Sequence, residues 1–112
     1  MVKTLYIPKQ GDIILVNFNP QIGHEQKGLR PGLVVSNNIF NDFTKMIMVC
    51  PITNTKKAFP LHVNLEKQKT TGTVMCEQVK SIDFITRKIK FIEKVNSETL
   101  DEVIDIIQGS IE

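Results

Sequence analysis

Glu25 and Arg30 stand five residues apart, and Thr53 follows where an apolar run gives way to polar residues. Arg30 keeps its charge at any working pH and presents a planar fork of donors that matches phosphate oxygens. Thr53 carries a hydroxyl able to donate to such an oxygen, and Glu25 is a carboxylate that serves as a general base if its pKa is suitably tuned. Phosphodiester cleavage without a metal needs a base, positive charge on the phosphorane, and an acid or cation at the departing oxygen. These residue types supply those parts, but each alone also reads as an ordinary group, since an Arg before Pro31 is commonly solvated or ion-paired.

Further groups could read a ligand rather than react with it. Gln26, Asn37 and Gln78 carry amides that both donate and accept, the chemistry that recognises base edges, although Asn37 reads as readily as a turn amide bonded to backbone. Glu77 either accepts from a base amino group or pairs with a lysine. Lys57, beside Lys56 in the polar connection after Thr53, suits a phosphate backbone, and such contacts weaken as salt rises. His24 adjoins Glu25 and is a candidate substrate contact. His24 and His62 together invite a two-histidine acid–base scheme, but His62 lies in the alternating stretch Leu61–Leu65 as an exposed residue and is read as a bystander.

Cys50 and Cys76 sit inside apolar runs with no second Cys or His at metal-ligand spacing, so they are read as buried core residues and no metal site is expected.

The elements that must position these groups are mostly short strands, because turn residues punctuate the 112-residue chain at intervals of about ten. Ile13–Phe18 is apolar on both faces and ends before Pro20, as a buried strand does. Asn19–Leu29 is polar, contains Gly23 and Gly28, and is long for a hairpin connection, which fits a functional loop. Leu33–Ser36 and Met46–Thr53 form a hairpin-like pair across an Asn-rich turn at residues 37–42. Leu61–Leu65 alternates, Thr73–Val79 reads as one strand, and Lys88–Ile92 as another near the surface. Ser97 is a good N-cap, the apolar spacing of Leu100, Val103, Ile104 and Ile107 predicts an amphipathic helix over 98–108, and Gly109 offers a C-terminal stop.

The length allows one domain, 1–112, and not two independent cores. Residues 1–8 lack an apolar stretch with a small-residue cleavage site, and no apolar run approaches about 20 residues, so a cytoplasmic protein without membrane insertion is expected. The net charge of +2 is unevenly spread. Residues 1–96 carry all 14 basic residues against seven acids, a net +7, and residues 97–112 carry five acids and no base. Such a basic body attracts phosphate or an acidic partner segment, or merely keeps the chain in solution.

Gly11–Pro20, read GDIILVNFNP, followed by Gly23–Pro31, read GHEQKGLRP, resembles the N-terminal signature of MazF/PemK toxins. Pro51-Ile52-Thr53 resembles the strand end that carries that family's catalytic threonine, and Glu77-Gln78-Val79-Lys80-Ser81-Ile82-Asp83 resembles its later EQ-x-[KR]-[ST]-[ILV]-D element. Order and spacing agree along nearly the whole chain.

The resemblance implies a mainly β (α+β) chain: a small SH3-like, CcdB/PemK-type barrel of about five to seven strands with short helices and a C-terminal amphipathic helix. It also implies a homodimer, a heterohexamer with antitoxin, and a metal- and cofactor-independent, ribosome-independent endoribonuclease. Such an enzyme cuts single-stranded RNA by 2′-hydroxyl attack and is neutralised by a cognate antitoxin with an acidic disordered segment. Arg30, Thr53 and Glu25 fall on the catalytic positions, and His24, Gln26, Asn37, Lys57, Glu77 and Gln78 are the candidate substrate contacts. The rival is a CcdB-like gyrase-binding toxin without nuclease activity, disfavoured because the chain has no Trp.

Overall fold

The computed structural model describes residues 6–18, 28–55 and 60–112. The chain runs β1 (Asp12–Asn17), β2 (Leu29–Val34), α1 (Asn38–Thr44), β3 (Met46–Thr53), β4 (His62–Asn64), β5 (Thr73–Met75), a single 3-10 turn (Cys76–Gln78), β6 (Lys80–Asp83), β7 (Ile89–Lys94) and α2 (Ser97–Ile111). The described pairings are antiparallel, in the order β4-β5-β3-β2-β1-β7, with β6 also paired to β3. The sheet is open among the described residues, its path ending on β4 at one side and β7 at the other, and the mainly β architecture with short helices and a C-terminal helix is the one expected.

Alternation along the strands sends apolar residues to both faces. One cluster joins Ile13, Leu33, Cys50, Ile52, Val63 and Val74, and α2 covers it with Val103, Leu100, Ile106 and Ile107. The opposite cluster joins Ile14, Val16, Val34, Ile47, Val49, Ile82 and Phe84, with Ile7, Phe18 and Ile89 packed against it. β1 and β3 feed both clusters, which is why they read as nearly continuous apolar runs.

Where a turn was expected at residues 37–42, the chain forms α1. The Asn37 carboxamide oxygen accepts from the Phe40 amide at 2.8 Å, a side-chain N-cap. Asn41, fully buried, donates its Nδ2 to the Pro8 carbonyl at 2.9 Å and accepts from the Ser36 hydroxyl. The same Ser36 oxygen accepts from the Met48 amide at 2.9 Å. Asparagines that signal a turn in isolation here cap a helix and tie it to β3.

Three other boundaries differ from expectation. The single strand over Thr73–Val79 is broken at Cys76, whose amide donates to the Leu61 carbonyl at 3.2 Å, and pairing resumes only at Lys80. The N-cap of α2 is Asn96, not Ser97, its Oδ1 accepting from the Thr99 amide at 2.8 Å. The helix passes through Gly109 to Ile111: the Glu112 amide donates to the Gln108 carbonyl at 3.2 Å, and the Ser110 hydroxyl to the Ile106 carbonyl at 2.7 Å. No described helix is long and apolar enough to cross a membrane.

Gly109 is helical and a methyl group there would meet nothing within 4 Å. Gly109→Ala should therefore raise the unfolding free energy by about 0.5–1 kcal/mol, the helix-propensity difference, as measured by urea denaturation. An unchanged or lower midpoint would show that the last turn of α2 is not helical in solution.

Candidate active site

The β2–β3 ladder pairs Leu33 with Cys50, Val34 with Val49 and Gly32 with Pro51. Two residues further along each strand lie Arg30 and Thr53. Because side chains repeat with a period of two, these positions share the face of Gly32, Val34, Val49 and Pro51, just beyond the last ladder pair. Arg30 is exposed and pairs on its other side with Val16 of β1, while Thr53 is half-buried and pairs with Thr73 of β5. A cation and a hydroxyl 23 residues apart in sequence are thus brought to one patch of sheet.

The hydroxyl has a defined orientation. Thr53 Oγ1 accepts from the Thr55 amide at 3.2 Å, which leaves its proton to donate outward. Behind it, Gly72 adopts φ +128°, and a Cβ there would come within 2.7 Å of the Thr53 carbonyl oxygen. The next turn can approach this strand end closely only because the residue is glycine.

Gly32 opens the same face from below. A Cβ there would stand 2.7 Å from Val49 Cγ2 and 2.9 Å from Phe18 Cζ, so the Phe18 ring lies over bare backbone next to Arg30. Lys80 pairs with Val49 and so points to this face as well, its Nζ 5.9 Å from the Phe18 ring centroid in a cation–π contact. Phe18 and Lys80 were not among the sequence candidates. Both lay inside the quoted signatures, but only the register reveals that β6 turns Lys80 to the sheet face that carries Arg30 and Thr53.

The other candidates divide. Glu25, His24, Gln26 and Lys57 lie outside the described residues. One stem of the connection that carries the first three is anchored: Asn17 is buried, and its carbonyl accepts from Arg87 Nη1 at 2.6 Å. Asn37 is the N-cap of α1, with its oxygen committed to the Phe40 amide, the structural use weighed for it. Glu77 and Gln78 lie together in the 3-10 turn between β5 and β6, both exposed.

His62, expected to be an exposed bystander, has a side chain only 8% accessible and lies 3.0 Å from the Glu77 carboxylate through Nε2. Burial works to raise the Glu77 pKa, but the His62 hydrogen bond and the neighbouring groups outweigh it and hold the carboxyl below its ordinary value. Cys50 and Cys76 are buried free thiols, as read; burial pushes Cys50 up to about 12 and Cys76 to about 11, far from the thiolate that chemistry would require.

A family model described as a PemK-like, MazF-like toxin of type II toxin–antitoxin systems matches residues 9–111. The chain belongs to this family. Among curated relatives of this MazF-like chain, the endoribonuclease toxin MazF of Escherichia coli (strain K12) is 40% identical over 82 residues, 73% of this chain and 74% of the relative. The endoribonuclease PemK of Escherichia coli is 37% identical over 101 residues, 86% of this chain and 76% of that protein. The crystal structure of MazF from Deinococcus radiodurans is 32% identical, with a TM-score of 0.82 over 95% of this chain and 97% of that one. The MazE–MazF structure from the same organism gives a TM-score of 0.81 at 26% identity, covering 95% and 96%. The CcdB-like alternative falls with this membership.

Gly32 leaves no room for a side chain in the MazF-like site. Gly32→Ala forces Phe18 or Val49 aside and should destabilise the fold by about 1–3 kcal/mol, the usual range for overpacking, in urea unfolding monitored by far-UV circular dichroism. A loss below about 0.5 kcal/mol would mean that the Phe18 ring does not rest on this glycine.

Proposed function

We propose that this MazF-like chain, as one toxin domain over 1–112, is a sequence-specific, ribosome-independent endoribonuclease acting on single-stranded RNA in the cytoplasm. The observation that carries the reading is that Arg30 and Thr53 lie just beyond the Gly32–Pro51 pair on one sheet face, to which Lys80 also turns with its ammonium over the Phe18 ring.

Cleavage proceeds by transfer of the 2′-hydroxyl proton to a base, for which Glu25 is the candidate, and attack of O2′ on the adjacent phosphorus. The P–O5′ bond breaks, the departing oxygen takes a proton, and a 2′,3′-cyclic phosphate remains. Arg30 presents its fork to the non-bridging oxygens as charge builds on them and assists the leaving oxygen, since guanidinium matches that geometry and holds its charge. Thr53 donates its outward proton to a phosphate oxygen. Lys80 and Lys57 attract the strand, the Phe18 ring offers a stacking surface, and Gln78, Glu77, Gln26, His24 and Asn37 are the candidate base and backbone contacts.

Arg30→Ala should lower the cleavage rate of a mixed-sequence RNA in EDTA by about 100- to 1000-fold, as removal of a transition-state charge donor does. A DNA copy, lacking the attacking hydroxyl, should remain whole. RNA left intact by pure native protein, or an Arg30→Ala variant of undiminished rate, would overturn the reading.

The same reading includes a homodimer neutralised by an acidic, disordered antitoxin segment, with a heterohexamer as the combined assembly. Supporting it are the +7 body of residues 1–96 and the antitoxin-bound form of a MazF relative. The antitoxin association rate should fall on the order of tenfold between low and moderately high salt in stopped-flow mixing. A flat salt response would count against electrostatic capture, and a monomer in sedimentation at micromolar concentration against the dimer.

A further inference from the structure

His62 opens β4 and Glu77 lies fifteen residues later in the turn after β5, yet the two side chains meet: His62 Nε2 is 3.0 Å from Glu77 Oε2. The turn that carries Glu77 is itself tethered to β4, because the Cys76 amide donates to the Leu61 carbonyl at 3.2 Å and the Cys76 side chain is buried in the core. Backbone and side chain are therefore fixed to the same strand independently. Next to Glu77 in the same turn stands the exposed Gln78 carboxamide. Imidazole and carboxylate form a contact that runs from a nearly inaccessible group to an exposed turn, with the Gln78 carboxamide on the next residue.

The chemistry of this chain has a direction. An ionised carboxylate only accepts hydrogen bonds, so the His62 nitrogen facing it must carry a proton. Glu66 and Lys67 beyond β4, and Glu98 and Glu102 from α2, line the cleft beside the imidazole. The Glu77 side chain is 29% accessible, enough for its carboxylate to meet a ligand while one oxygen stays against His62. A carboxylate held in this way accepts from N–H groups and repels carbonyl edges, so it discriminates among nucleobases. A carboxylate free to rotate would lose that selectivity to rotamer freedom.

We propose that His62 is a positioning residue for base selection: by donating Nε2–H to Glu77 it holds the carboxylate, with Gln78 alongside, as a fixed acceptor for a nucleobase that presents an N–H group. The proposal rests on the endoribonuclease reading and deepens it, assigning one specificity position to a three-residue unit of which His62 never touches RNA.

The test digests a randomised single-stranded RNA pool with the native protein, His62→Phe, His62→Gln, Glu77→Gln and the double variant His62→Phe/Glu77→Gln, and sequences the new ends. Preference at one nucleotide position should fall about tenfold in His62→Phe and Glu77→Gln alike, with no further loss in the double variant, as expected for groups acting as a unit. His62→Gln, whose amide replaces the Nε2 donor, should restore the preference, and kcat on saturating RNA should stay within about threefold in His62→Phe and His62→Gln. In the native protein, nitrogen NMR of the imidazole should show Nε2 protonated and shifted by Glu77→Gln, a readout that does not depend on whether His62→Phe folds.

An unprotonated Nε2 at neutral pH, or a His62→Phe profile like the native one while Glu77→Gln is altered, overturns the positioning role and leaves the nuclease reading standing. Cleavage with an unchanged profile in Glu77→Gln overturns base reading by this turn. Intact RNA with native protein overturns the nuclease reading itself.

Discussion

Everything at the candidate site hangs on the hydrogen-bond register of β3. This strand pairs with β2 along one edge, and along the other with β6 through its first half and β5 through its end. Each pairing delivers one component: β2 brings Arg30 to the face of Thr53, β6 turns Lys80 to the same face, and β5 backs the threonine. Side chains alternate strictly along a strand, so a slip of one residue in any ladder would send its component to the opposite side of the sheet, under α2. The apolar clusters on both faces forbid such a slip, because it would also move Val34, Val49 and Leu33 out of their packing. Stability and chemistry are thus specified by the same pairing.

Much of this was legible in the chain. The buried runs around Ile13–Phe18 and Met46–Thr53, the alternation at Leu61–Leu65 and the helical spacing near the C-terminus each announce an element through local periodicity, and each is present. Local signals failed where a distant partner decides. The Asn-rich stretch after Ser36 becomes α1 because Asn41 finds the Pro8 carbonyl, 33 residues away, and the expected strand over Thr73–Val79 breaks because Cys76 is drawn to Leu61. Gly109 did not stop α2, since the carbonyls ahead of it still find donors.

At the site, residue types could be read but proximity could not. Arg30 and Thr53 stood out by chemistry and by resemblance, yet their shared face follows from a ladder whose register no single segment contains. Phe18 and Lys80 were passed over for the same reason. His62 misled differently: alternation correctly placed it off the central apolar face of β4, but alternation only separates the two sides of a strand. It cannot tell water from a neighbouring turn, and the Glu77 turn supplies the cover.

The outer edge of β7 raises a matter of a different kind. Among the described residues this strand pairs only with β1, so its other row of backbone groups, apart from the Lys94 carbonyl that accepts from Gln68 Nε2, is the sort of open template onto which a further strand, native or foreign, can add. Lys90 lies within β7 and Lys88 just before it, both exposed, while the Lys94 ammonium is ion-paired with Asp12 of β1. Any second copy laid along that edge would bring ammonium against ammonium at close range. The lysines therefore act as a barrier to fibrous self-association, and they keep the molecule dispersed at concentrations where an uncharged edge would seed aggregates.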